Sequence, residues 1–453
     1  MRLVIPPLVV EENDSFKNDA LDRRTYGEAL LNIVVRSNDE LVISLDGKWG
    51  EGKTTFVKMW QGLLLENNVP NIYIDAFSND YVDDAFISVV SAIMNYAETH
   101  ITKDHEEKVT ELKDKAKKVG SQLLSLSARI GIKVATLGVI KNTEIEDLME
   151  IKEDMAKSVS DLIGSLVEER INSHSKDIEI IQSFRELLSS LPSKLQKDGN
   201  KPLVIIIDEL DRCKPTFAVE IIEKIKHLFS VKNVVFILVM NKAQLEESIK
   251  SVYGQNIDAH TYLQKFINLE TKIPKRTNER YTNDLSKYSK KLSQLHELQT
   301  WGDDRNIIEC IEPLADHFNL SLRQLEKIYT NLAVFYGSST KSQLRLVAII
   351  AFLSVMKVID PWLFDQLLLQ KTCFSKVMER LNLSNLNEEN GTDRKLYWLM
   401  SWIRYALLSE QEFEELPEED KIKKYGQSLW QYNISREKLI PSFAQQLSMF
   451  VST

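Results

Sequence analysis

One stretch narrows the fold of this chain more than any other. Leu41-Val42-Ile43-Ser44-Leu45 is a short β-type run that ends at Asp46, and Gly47-Lys48-Trp49-Gly50-Glu51-Gly52-Lys53-Thr54 follows at once. The 453 residues include only 15 glycines, and three of them fall within the six positions from Gly47 to Gly52. Glycine gathers where the backbone must turn tightly enough for successive N–H groups to converge on an anion. The spacing is that of a phosphate loop, GxxxxGK[ST], set between a strand and a helical pattern running from Thr55 to Leu65. In that setting Lys53 would reach the β- and γ-phosphates and the Thr54 hydroxyl would ligate magnesium. The positive end of the following helix would face the phosphates. The expected nucleotide-binding set is Gly47, Lys48, Trp49, Gly50, Glu51, Gly52, Lys53, Thr54 and Thr55.

The remaining strand signals fit an α/β fold with a parallel sheet. Residues 1–40 read as a leading strand and a helix, with Leu30, Leu31, Val34 and Val35 at helical spacing. Asn71 to Asp75 reads as a second strand before a helix through Ile93. Leu203 to Ile207 and Val234 to Val239 are apolar without alternation, as strands covered on both faces should be. A helix is expected between them, from Ala218 to Phe229. Residues 1–97 and 198–275 would form the P-loop NTPase core, flanked by helices. Residues 98–197 read as a helical insertion, with a charged solvated face over 103–118. The pair Thr143 and Glu146 suggests a capping box there, ahead of a stripe of Leu148, Met155, Val159, Leu162 and Leu166. After Pro274 the α/β pattern stops, and 276–453 read as a C-terminal all-α domain.

Composition excludes several classes. A net charge of −9 argues against bulk electrostatic coating of nucleic acid, although a local basic patch would still permit contact. Three widely separated cysteines fit a reducing cytoplasm better than a disulfide framework, and no HExxH or CxxC suggests zinc. The N-terminal apolar run is short, broken by Pro6-Pro7 and followed by acids, unlike a signal peptide. Leu123 to Ile140 and Leu344 to Ile359 are apolar but carry charges, so both are expected to be buried helices, not membrane spans. The expected location is the cytoplasm.

A second set of polar residues follows the later strands. Asp208, at the end of a buried run, can hold magnesium through water, and Glu209 can polarise or deprotonate an attacking water. Asn241 follows the next strand and could face the γ-phosphate, or cap the helix behind it. Asn241-Lys242-Ala243-Gln244 is close to the NKxD of guanine-specific proteins, but Gln244 supplies one acceptor where guanine needs a carboxylate. ATP is favoured for that reason. Arg212 could pair with Asp211, brace the site or act across a subunit interface. Arg323 sits early in a later helix and could report phosphate to a second domain.

Together these residues resemble the KAP family of P-loop NTPases. The likeness rests on Gly47 to Thr54, on Asp208-Glu209-Leu210-Asp211-Arg212-Cys213-Lys214-Pro215, on Val235 to Leu238, on Tyr262 to Ile267 with Pro274, and on the stretch around Arg323. It implies an AAA-like core with an additional strand, a helical domain behind it, and Mg2+-dependent ATP hydrolysis driving a conformational cycle. Glu209, Lys53, Asn241, Arg212 and Arg323 are then the expected catalytic residues, and Thr54 and Asp208 the metal ligands. Bacterial members include phage-exclusion proteins, and animal members are membrane scaffolds. Many carry transmembrane helices between the phosphate loop and the acidic strand. Here that interval is charged and helical, so a soluble variant is expected. Where the family has an Asn-Ala-Trp-like stretch this chain has Asp75-Ala76-Phe77, with Phe77 expected in the core. The implied protein is a nucleotide-driven switch or assembly platform in antiphage defence. It would be a homo-oligomer working with a separate effector, since no nuclease, deaminase or protease signature is fused to it. A scaffold that hydrolyses little, or a nucleic-acid motor, is the alternative.

Overall fold

A computed structural model describes residues 1–6, 9–11, 14–37, 39–81, 84–100, 106–120, 178–195, 201–275, 284–386, 394–429, 432 and 434–449. Five strands form one sheet: β1 (Leu41–Asp46), β2 (Asn71–Asp75), β3 (Leu203–Asp208), β4 (Val234–Met240) and β5 (Leu269–Lys272). Their order is β2-β3-β4-β1-β5, and every pairing is parallel. Parallel neighbours need crossovers, which the helices supply. The register aligns Asp46 with Met240 and Asp75 with Asp208. All strands therefore end along one edge, where the loops that carry chemistry emerge.

The unbroken apolar runs have a direct structural reason. Val204 and Ile206 face one layer, packed with Phe56 and Trp60 of α2 (Lys53–Glu66) and with Leu30 and Val34 of α1 (Arg24–Arg36). Ile205 and Ile207 face the other, packed with Phe86 and Val89 of a helix at Ala85–His100. Alternate side chains point to opposite faces, so both sets must be apolar when both faces are covered. On the second face Phe86 stacks on Phe229 at 5.4 Å and meets Phe184 at 5.9 Å.

Phe184 belongs to the stretch read as an insertion. The described parts of that stretch are helical over 106–120 and 178–190. Val109, Leu112, Ala116 and Val119 are buried while Lys108, Lys113 and Lys117 are exposed, as a solvated helix with one apolar stripe requires. Leu123 to Ile140, the Thr143–Glu146 pair and the stripe from Leu148 to Leu166 lie outside the described residues.

Three local expectations are corrected. The leading strand is absent among the described residues of 1–40, which hold α1 and a single bridge between Glu11 and Asp14. Strand β5 was not anticipated, because Glu270 and Lys272 give it the polarity of a loop; it is an edge strand, where charge is tolerated. Phe77 is 48% exposed, not core. Asp75 caps a four-residue helix, Ala76–Asn79, by accepting from the Ser78 N–H, and that turn sends Ala76 inward and Phe77 outward.

The C-terminal half is helical. It includes α3 (Asp284–Leu295), α4 (Asp304–His317), α5 (Leu322–Gly337) and α6 (Val347–Ile359). Every residue of α6 from Ala348 to Met356 is buried. A helix apolar all round belongs in a core, and α4, α5 and a helix at Arg394–Leu407 surround it. Arg345, just ahead of α6, pairs with Asp303, and Lys357 donates to the Leu447 carbonyl. Among the described residues no helix is long and apolar enough to cross a membrane.

Candidate functional site

The glycine-rich turn sits at the C-terminal edge of the sheet. The Gly47 N–H donates to the Met240 carbonyl at 3.1 Å, which ties the loop to β4. Gly50 and Gly52 have φ of +80° and +77°, a region costly for residues with a Cβ. The Phe56 N–H bonds to the Gly52 carbonyl, so α2 begins on the motif lysine. Lys53 is nearly buried and folds back on its own loop, donating to the Gly47 carbonyl at 2.6 Å and the Lys48 carbonyl at 3.2 Å. Burial lowers its pKa, opposed by the charges of Asp211 and Asp208. An anion placed there would restore the balance. Glu51 braces the turn from within, accepting from the Lys48 N–H at 3.0 Å and pairing with Lys275.

Asp208 closes β3 and is 1% exposed. It accepts from the Glu209 N–H at 2.8 Å, from the Tyr73 hydroxyl at 3.0 Å, and from the Thr54 hydroxyl. Desolvation raises its pKa, and these three bonds oppose the shift. Thr54 and Asp208 are thus adjacent hard oxygen donors. That donor set fits magnesium, which uses few protein ligands beside the phosphates it accompanies. Among the described residues no group of three or more acidic, His or Cys side chains forms a metal cage.

Glu209 takes a left-handed backbone, φ +60°, uncommon for a residue with a side chain. Burial raises its pKa, and Arg212 opposes the shift. Arg212 pairs with Glu209 at 2.7 Å, while Asp211 accepts from the Trp49 indole N–H. The Arg212–Asp211 pairing considered from the sequence is therefore replaced by two others. A half-buried carboxylate with raised proton affinity can accept a proton from water.

The helical half supplies the opposite wall. Ser321 and Gln324 form a capping box that starts α5, and the Arg323 N–H donates to the Gly50 carbonyl at 3.2 Å. A cavity of about 460 Å³ lies between the two halves. Trp49, Gly50, Gly52, Lys53, Thr54, Thr55, Asp208, Glu209, Arg212 and Arg323 all line it. Gly47, Lys48 and Glu51 shape the loop without lining the cavity. Asn241 does not line it either. It occupies the N-cap of the helix Lys242–Tyr253 without a side-chain cap bond, and Asp46 accepts from the Lys242 N–H instead. Gln244 is exposed on that helix and does not line the cavity.

The lining also contains residues with no motif of their own. Ile5, Pro6, Val9, Leu21, Met59, Leu295 and Leu322 give the cavity apolar lining, while Arg23, Tyr288, Lys291 and Glu326 add polar groups. They come from separate stretches and meet only in the folded chain.

Comparison with known proteins places the chain in a family. A relative in Methanocaldococcus jannaschii, the uncharacterised protein MJ0182, is 31% identical over 171 residues, covering 35% of this chain and 82% of that protein. A solved structure of the Aeropyrum pernix ORC2 protein, in ADPNP–ADP complexes, aligns over 98% of this chain and 96% of its own at 13% identity. Its TM-score is 0.37. The model of the KAP family P-loop domain matches residues 23–338, so this chain belongs to the KAP family of P-loop NTPases.

Proposed function

We propose that the protein is a Mg2+-dependent ATPase whose nucleotide state sets the relation between its sheet core and its helical half. The observation that carries this reading is the convergence on one cavity of Lys53 and Thr54, the strand-end acids Asp208 and Glu209, and Arg323 from the helical half. Lys53 and the loop N–H groups bind the phosphate chain, with α2 directing its positive end at it. Thr54 and Asp208 hold the metal ion, which neutralises phosphate charge when bound. Glu209 accepts the proton of the attacking water, and Arg323 reports the phosphates to α5. The apolar lining takes the nucleoside, and adenine is the base we assign. Asn241 remains a candidate contact only if the cavity closes further on its nucleotide.

The division into a core of 1–97 and 198–275, an insertion of 98–197 and a helical domain of 276–453 is part of this reading. So are assembly into a homo-oligomer, location in the cytoplasm, and a role in antiphage defence with a separate effector protein. The defence role rests on family likeness and is tested by phage challenge of cells carrying wild type or Lys53→Ala.

The decisive experiment compares phosphate release by wild type and Glu209→Gln, with nucleotide binding measured for Lys53→Ala. Loss of a general base slows turnover by about 10²–10⁴-fold. Equal rates in wild type and Glu209→Gln would favour a nucleotide-gated scaffold instead. Undiminished ATP affinity in Lys53→Ala would refute the site.

A further inference from the structure

Arg23 belongs to no motif, yet it is 5% exposed and lies against the phosphate loop. It immediately precedes α1, and Asp19 accepts its backbone N–H. Both terminal guanidinium nitrogens donate to the Glu51 carbonyl at 3.2 Å, and one also lies 3.5 Å from the Gly52 carbonyl. The packing is close: a Cβ on Gly52 would sit 3.2 Å from the same nitrogen.

The direction of these bonds matters more than their number. In a trans peptide the C=O and the next N–H point in opposite directions. Drawing the Glu51 carbonyl toward Arg23 turns the Gly52 N–H away from it. The Gly52 carbonyl is held by the Phe56 N–H of α2 as well, which keeps the Lys53 N–H turned the same way. These are donors at the start of α2, where an anion is bound by unpaired N–H groups. Without the guanidinium, the Glu51 carbonyl would be free to swing toward the phosphates and repel them.

We infer that Arg23 is a positioning residue for the phosphate loop, occupying the carbonyl of Glu51 so that the loop presents its N–H groups to a polyphosphate. Only a forked cation suits the task. An ammonium is a single point and cannot offer two nitrogens to one carbonyl while reaching its neighbour. The burial of Arg23 is also explained. A buried cation is tolerated when hydrogen-bonded and faced by opposite charge, and Asp19, Asp284 and Glu51 surround it.

The inference rests on the nucleotide-binding reading above, and its test separates the two. Binding of a fluorescent ATP analogue with Mg2+ is measured for full-length wild type, Arg23→Ala and Arg23→Lys, alone and with guanidinium chloride at non-denaturing concentration. If wild type itself does not bind, the nucleotide reading fails. If it binds, Arg23→Ala should bind about ten- to a hundredfold more weakly, the loss expected for charge-assisted hydrogen bonds. Added guanidinium should restore part of that affinity in the alanine variant and none in wild type. Arg23→Lys should stay at least about tenfold weak despite its retained charge. Unchanged affinity in Arg23→Ala overturns the inference. So does a loss that guanidinium leaves untouched, because a general packing defect would behave that way. Should the alanine variant fail to fold, Arg23→Lys decides: wild-type affinity there overturns the inference, and weak binding by a folded protein upholds it.

Discussion

Gly50→Ala tests the contact between the phosphate loop and the helical half. Gly50 has φ of +80°, and a left-handed backbone costs an L-residue about 1–2 kcal/mol. The new methyl would also lie 2.8 Å from Arg323 Cβ, 3.0 Å from Ser321 Oγ and 3.2 Å from Ser321 Cβ. Carbon atoms prefer separations of about 3.5–4.0 Å, so the first of these contacts must open by more than half an ångström. The atoms concerned sit close to the backbone of α5 and cannot swing aside. Overpacking of this kind costs about 1–3 kcal/mol, which brings the total to about 2–5 kcal/mol. Urea unfolding followed by circular dichroism measures it. The contact part is isolated by Arg323→Gly, which removes the Cβ that the methyl meets. The double-mutant cycle should give a coupling of at least about 1 kcal/mol, well above the roughly 0.3–0.5 kcal/mol found for independent sites. If the loop instead moves away from α5, ATP affinity should fall about tenfold per 1.4 kcal/mol of strain transferred. Zero coupling together with unchanged ATP affinity would refute the claimed contact.

Four further outcomes can be measured. Burial pushes the Cys213 and Cys310 thiols up to about 12, whereas the Ser375 hydroxyl lowers the exposed Cys373. A thiol reagent near pH 8 should therefore label one cysteine quickly, and rapid labelling of all three would contradict the burial. The same two buried thiols favour the folded state below their unfolded value near 9, and that contribution fades as pH climbs toward 12. Phe77→Ser should change unfolding free energy by no more than about 0.5 kcal/mol, as for an open surface position. A loss several times larger, read by urea titration, would return Phe77 to the core. Light scattering should show self-association with a slow-hydrolysing ATP analogue, and a monomer with and without it would count against the assembly proposal.

The parts of the site that were legible in the sequence are those whose chemistry is written into consecutive residues. A loop that wraps phosphate needs Gly50, Gly52, Lys53 and Thr54 in that order, and an acid at the end of a buried strand is visible as Asp208 after Leu203 to Ile207. The opposite wall was not legible. Ile5, Arg23, Tyr288 and Lys291 carry no shared pattern, and only the closure of the helical half brings them together. Errors arose where a local contact outranked composition. Asp75 turned Phe77 outward by capping one short turn. The left-handed backbone at Glu209 is the local feature beside which Arg212 pairs with Glu209 and not with Asp211. Strand β5 was hidden by its charges, which an edge position permits.

The cavity is walled by both halves of the chain, and this has a consequence for how the protein comes apart. A fragment ending at Lys275 would keep the phosphate loop, Asp208 and Glu209, yet lose Tyr288, Lys291, Leu322 and Arg323. It would hold a nucleotide against half a box. In the whole chain, a ligand touching both walls stabilises their joint arrangement over either part alone, by about 2.7 kcal/mol at a hundredfold excess over Kd. Occupancy would then couple the melting of the two halves, and added nucleotide would draw their unfolding into a single, later transition.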